Sequence, residues 1–205
     1  MASETSDIVA ERQLDRMIYF SDALFAISIT LLVLDIAAPQ LESGATPSDF
    51  GYALAGLLPN VIAFVVSFLV IALFWQGHHR LFANATRFHP KLLWPNLFFL
   101  MAIVVMPFAT AFFSANAKVV VVALVYNLTL LACSVLLWFL SKRVMRYAGV
   151  EGQEREDRRS AVTIVAALLC VALAFIAPEW SQIGMLLTLV GPHFAKAPIA
   201  ASAVE

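Results

Sequence analysis

An aspartate stands inside the first apolar segment of the chain, in Arg16-x-x-x-Phe20-Ser21-Asp22, followed by Ala23-Leu-Phe-Ala-Ile27-Ser-Ile-Thr30-Leu31-Leu-Val-Leu34-Asp35. A carboxylate at such depth costs about 2.5–3.5 kcal/mol even on the mildest insertion scale, so it needs a partner or a water-filled path. The second chemically able group closes the next apolar run: Trp75-Gln-Gly-His78-His79-Arg80. A buried carboxylate with imidazoles suits three chemistries: a neutralising clamp, a proton relay or a metal site. The clamp would gather Arg16, Asp22, His78 and His79, with Trp75 beside them and its indole N–H as a further donor. Adjacent histidines on a helix diverge by about 100°, which suits one metal ion poorly. No nucleophile–base pair, phosphate-cradling glycine loop or metal-ligand spacing accompanies them, so nothing marks an enzyme.

The elements that must position these residues are membrane spans. Apolar residues make up 61% and charged residues 13% of the chain, where soluble domains carry roughly 25% charged residues. Apolar runs cover 16–36, 52–77, 92–113, 118–140, 161–177 and a short 180–194 that ends at Gly191-Pro192, each near the roughly 20 residues a crossing helix needs. The fold class expected is an all-α membrane protein with six spans in one domain, 1–205. The polar start followed by so long a run reads as an attached anchor, not a cleaved signal. Pro59 and Pro107 fall inside spans 2 and 3 and predict kinks there. Cys133 and Cys170 sit in mid-run as small hydrophobes, with no disulfide or zinc framework.

Twelve of the thirteen Lys and Arg fall before span 1, between spans 2 and 3, between spans 4 and 5, or after span 6, leaving Lys118 alone on the other side. By the positive-inside rule both termini are cytoplasmic, with 1–15, 142–160 and 195–205 facing the cytoplasm and the 37–49 loop outside. Trp94, Trp138 and Trp180 suit interfacial anchors, and 151–159 suits a solvated mixed-charge connector. The net charge of −1 and the segregated cations leave no basic surface for nucleic acid.

Ile27, Thr30, Leu31 and Leu34 recur at i, i+3, i+4 and i+7, one stripe of a helix. Asp22 points about 140° away from Ile27. Such a stripe suits lipid, another helix or an axis shared by several subunits.

These residues, with the run Ala26-Ile-Ser-Ile-Thr-Leu-Leu and Trp75-x-x-His78-His79, resemble prokaryotic members of the transmembrane protein 175 family, relatives of the endolysosomal potassium channel of animals. Spans 4 to 6 carry no motif of that kind. The resemblance implies a homotetramer, because animal members carry two six-span repeats and this chain has one, with the first helix of each subunit lining a central pore. It implies a constriction at Ile27 with Leu31 and Leu34 as outer layers, a Thr30 hydroxyl ring near the narrowest point, and an acidic residue, Asp35, at the outer mouth. Arg16, Phe20, Ser21, Asp22, Trp75, His78 and His79 form the expected polar cluster. No Thr-Val-Gly-Tyr-Gly loop is present, so a carbonyl filter is not the source of selectivity. An apolar neck that strips part of an ion's hydration favours potassium weakly over sodium. Asp35 would add negative potential at the mouth.

The expectation is a potassium-preferring cation channel of the cell inner membrane, associating with itself and the bilayer, with no cofactor beyond permeant potassium and other monovalent cations. The alternative is a proton-coupled secondary transporter using Asp22 and His78/His79 as a relay. Transporters favour broken midplane helices, whereas the middle of span 1 is unbroken.

Overall fold

The computed structural model describes residues 2–40, 43–44, 46–83, 85, 88–148 and 153–186, and among them every regular element is helical. That is the outcome lipid demands of a chain this apolar, since a helix satisfies its backbone groups within one segment. Helix α1 (Ala2–Leu31) tightens into a 3-10 turn, Leu32–Asp35. Helices α2 (Pro47–Gly56) and α3 (Leu58–Ala83) follow, then a short 3-10 turn (Pro90–Leu92) leading into α4 (Leu93–Ala115). Helices α5 (Val120–Tyr147) and α6 (Gln153–Leu173) precede a final 3-10 segment, Pro178–Leu186.

Among the described residues four stretches are long and apolar enough to cross a membrane: Val9–Asp35, Pro47–Ala83, Pro90–Ala115 and Val120–Tyr147. They match the first four expected spans, each lengthened at one end or both, the second being divided at Leu57. The fifth expected span, 161–177, lies differently. Helix α6 starts with the charged turn of the connector, continues uncharged only from Ser160 to Leu173 and then turns, which is short of the roughly 20 residues a crossing needs. Residues 178–186 of the expected sixth span are 3-10 helix. Its remainder, 187–194, and the tail 195–205 lie outside the described residues, as do Arg87 and Lys196.

The two prolines act differently. Pro107 sits inside an otherwise continuous α4. Pro59 instead occupies the first turn of α3, directly after a break at Leu57, where its missing N–H would have had no intrahelical partner anyway. Helix α2 begins with a capping box, in which the Thr46 hydroxyl accepts the Asp49 N–H while Asp49 Oδ2 accepts the Thr46 N–H at 2.8 Å.

The core lies where α3, α4 and α5 meet, around Ile71, Phe74, Phe99, Ile103, Met106, Tyr126 and Leu130, all buried. Lipid gives no hydrophobic drive to helix pairing, so close approach through small residues and hydrogen bonds must hold the bundle. Ala102, Ala109, Ala123, Cys133, Ser134, Ala167 and Cys170 are buried at these interfaces. A Cβ at Gly77 would lie 3.1 Å from Leu137 Cδ2, so glycine there lets α3 and α5 approach.

Helix α1 packs on α3 and α4 through one stripe, Leu14, Met17, Ser21, Phe25, Ser28 and Leu32, all buried. These fall three or four positions apart, the spacing of a single helix face. The opposite face carries Phe20, Ile27, Thr30, Leu31 and Leu34, all exposed.

Candidate functional site

Two consecutive residues of α1 reach two neighbouring helices. Ser21 is fully buried, its hydroxyl donating to the Met17 carbonyl at 2.8 Å and accepting from Asn96 Nδ2 of α4 at 2.9 Å. Asn96 Oδ1 in turn lies 2.8 Å from His78 Nε2 of α3. With the amide nitrogen turned to Ser21, the amide oxygen faces the imidazole, and the ring must donate from Nε2. His78 and Asn96 are as buried as Ser21. Among the described residues His78 Nδ1 has no hydrogen-bond partner. The ring is caged by Phe99, stacked at 5.8 Å, with Phe82 at 4.7 Å and Phe25 at 5.7 Å.

Asp22, one step round α1, is half-buried. Its Oδ1 accepts the Trp75 indole N–H at 2.9 Å, and the Trp75 ring stacks on His79 at 5.4 Å. Trp75 and His78 are three apart on α3 and share a face, so a single contact patch receives both Ser21 and Asp22.

The expected cluster is therefore rearranged. Arg16 is exposed and makes no hydrogen bond or ion pair with Asp22. Six positions turn a helix by about 240°, which carries Arg16 to the side of Phe20, itself exposed. The donor to Asp22 is the indole; His78 serves Ser21 through Asn96; His79 only stacks. Among the described residues no three His, Cys, Asp or Glu side chains converge on a metal-sized site.

Asn96 was missed by the sequence reading, although a lone Asn within an apolar span signals a buried partner. The same signal marks a second polar group at mid-bundle. Ser67 Oγ lies 3.0 Å from Tyr126 Oη and 2.9 Å from Thr110 Oγ1, with all three residues buried. At the far end of α1, the Asp35 carboxylate accepts the Ser114 hydroxyl of α4, and its backbone carbonyl accepts Asn60 Nδ2 of α3 at 3.5 Å. Asp35 is half-buried and tied into its own bundle.

The remaining expected residues lie together on the uncovered face of α1. Ile27 is 51% exposed, Leu31 42% and Leu34 73%. Thr30 is exposed beside them, its hydroxyl 3.0 Å from the Ala26 carbonyl and 2.9 Å from that of Ile27. That fixes the hydroxyl hydrogen inward and leaves oxygen lone pairs facing out. The 3-10 turn repeats every three residues, so Leu34 stacks nearly in line with Leu31.

A bundle of long apolar helices, cross-linked by buried polar residues and leaving one face of its first helix bare, defines an all-helical multi-pass membrane protein. The model of the family described as endosomal/lysosomal potassium channel TMEM175 matches residues 16–107, the stretch that runs from Arg16 within α1 through α3 and past Asn96. A Chamaesiphon minutus protein named as a potassium channel is 30% identical over 184 residues, covering 83% of this chain and 88% of its own. A Streptomyces collinus protein, also named as a potassium channel, is 37% identical over 131 residues, covering 60% of this chain and 62% of its own. The crystal structure of a lysosomal potassium-selective channel TMEM175 homolog from Chamaesiphon minutus superposes with TM-score 0.73 at 28% identity, covering 91% of this chain and all of that one. The chain belongs to the TMEM175 family, a family of ion channels and not of enzymes.

Proposed function

We propose that four copies of this chain form a potassium-preferring cation channel in the cell inner membrane, each chain crossing six times, the last two by the shorter α6 and the segment that follows it, with both termini cytoplasmic. The α1 helices stand around the central axis. The observation that carries this reading is the bare face of α1, on which Ile27, Thr30, Leu31 and Leu34 line up while the opposite stripe is buried in the protomer. The names of the relatives in two bacteria support it. Four isoleucines form an apolar neck, with Leu31 and Leu34 as outer layers, and the outward lone pairs of Thr30 replace part of the ion's lost hydration. Asp35 contributes negative potential at the outer mouth. The cluster of Ser21, Asp22, Trp75 and His78 with Asn96 holds α1 at the angle this requires, Phe20 and Arg16 lying outside it. No cofactor enters beyond the permeant ions.

The geometry favours a channel over a proton-relaying transporter. A relay needs groups that take up and release protons in turn, whereas the His78 chain passes through an amide and stops on the Met17 backbone carbonyl. Replacing Ile27 with Asn wets the neck and raises potassium flux into liposomes, and light scattering of the detergent-solubilised protein gives a tetramer. Unchanged flux and selectivity would remove Ile27 from the conduction path.

A further inference from the structure

Three cations and one tyrosine converge where α4 begins and α5 ends. Lys91 Nζ stands 5.1 Å from the centre of the Tyr147 ring, and the His89 ring stacks on that ring at 4.6 Å. His89 is held by accepting the Lys91 N–H at Nδ1, 3.1 Å away. One turn back on α5, the Arg143 guanidinium lies 4.8 Å over the Phe139 ring, and Arg146 is exposed beside it. The charges of Lys91, Arg146 and Arg143 all act on Tyr147, and no acid among the described residues does. The described acids nearby are engaged elsewhere: Asp157 with Lys142 at 2.7 Å, and Glu156 with Arg159 at 3.9 Å. Like charges gathered with no acid among the described residues between them repel one another and are relieved by an anion.

The cluster also lies at the boundary of lipid, because the apolar stretches that bound it start at Pro90 and end at Tyr147. Below it, Leu128, Ala132, Val135 and Phe139 form an exposed strip on α5. On a helix these four, together with Arg143 and Arg146, fall within an arc of about 80°. The strip is apolar over its length and cationic at its end, the profile of one phospholipid molecule.

We propose that Lys91, Arg143 and Arg146, with His89 and Tyr147, seat the headgroup phosphate of an anionic phospholipid whose chains lie along the Leu128–Phe139 face of α5. Each cation near an anionic membrane surface contributes about 1 kcal/mol, which is roughly five-fold in occupancy. The test is native mass spectrometry of the full-length protein titrated with phosphatidylglycerol or phosphatidylcholine of identical chains. Phosphatidylglycerol binds selectively; Lys91→Gln weakens it about five-fold and Arg143→Gln/Arg146→Gln about 25-fold, at roughly five-fold per cation. Arg143→Lys, which keeps the charge, stays closer to the unsubstituted protein than Arg143→Gln, and Arg12→Gln, a cation on α1 outside the cluster, changes nothing. Equal binding of the two lipids overturns the proposal, as does a loss in Arg12→Gln as large as that in Lys91→Gln. Complete displacement of the lipid by millimolar inorganic phosphate also overturns it, since the site would then serve a soluble anion.

Discussion

Asn96→Leu tests whether the buried chain of hydrogen bonds joins three helices energetically as well as geometrically. The substitution keeps the branched shape of the side chain, at a larger volume, and deletes two bonds, to His78 Nε2 at 2.8 Å and to Ser21 Oγ at 2.9 Å. Interhelical bonds in membranes average about 0.6 kcal/mol with a maximum near 1.7, so the pair is worth roughly 1–3 kcal/mol. Moving the ring proton does not rescue His78, because Nδ1 has no partner among the described residues either. His78→Phe should cost a similar amount by stranding the amide oxygen. The double variant His78→Phe/Asn96→Leu should cost less than the sum, since it removes both polar groups and leaves an aromatic ring against Phe25, Phe82 and Phe99. Unfolding in mixed micelles by dodecyl sulfate titration, followed by far-UV circular dichroism at fixed protein concentration, measures all three. A cost for Asn96→Leu below about 0.5 kcal/mol, with the two single changes adding within that margin, would refute the reasoning.

Three further outcomes follow from the same geometry. Trp75→Phe, which removes the indole donor from Asp22, should weaken subunit assembly more than Asp22→Asn, whose amide oxygen still accepts that N–H; size-exclusion chromatography with light scattering ranks the two. Thr30→Ala should shift the bi-ionic potassium/sodium reversal potential toward zero, and an unmoved potential would remove its oxygen from the ion path. Gly77→Val should lower the melting temperature, at a cost of about 1–3 kcal/mol for overfilling a close helix contact, because a Cβ there already meets Leu137 at 3.1 Å.

Much of this architecture could be read from the chain. Apolar length located the first four crossings, and the spacing of Ile27, Thr30, Leu31 and Leu34 put them on one face, which the fold leaves uncovered. Four features escaped for separate physical reasons. Arg16 looked like the partner of Asp22 because opposite charges close in sequence invite pairing, but helical rotation sends them apart. Asn96 was passed over because its partners, Ser21 and His78, lie on other helices, and a lone polar residue announces a need without naming who meets it. The break at Leu57 was read as a kink because Pro59 was placed within a continuous span, whereas Gly56 ends one helix and the proline starts the next. Hydropathy at 161–177 gave the length of an apolar run, but the described helix stops at Leu173, where the chain turns.

The fastening of α1 has a mechanical corollary. Beyond its apolar packing, its hydrogen bonds to neighbouring helices sit at Ser21 and Asp22 on one side and at Asp35 on the other, while Ser28 and Thr30 between them bond only to carbonyls of α1 itself. The segment behaves as a beam clamped at both supports, about 20 Å long at 1.5 Å per residue. Such a beam resists swinging as a rod but yields most near its centre, where Ile27 and Thr30 are carried. In the tetramer proposed above, a small outward bow there would widen the shared neck without releasing either anchorage.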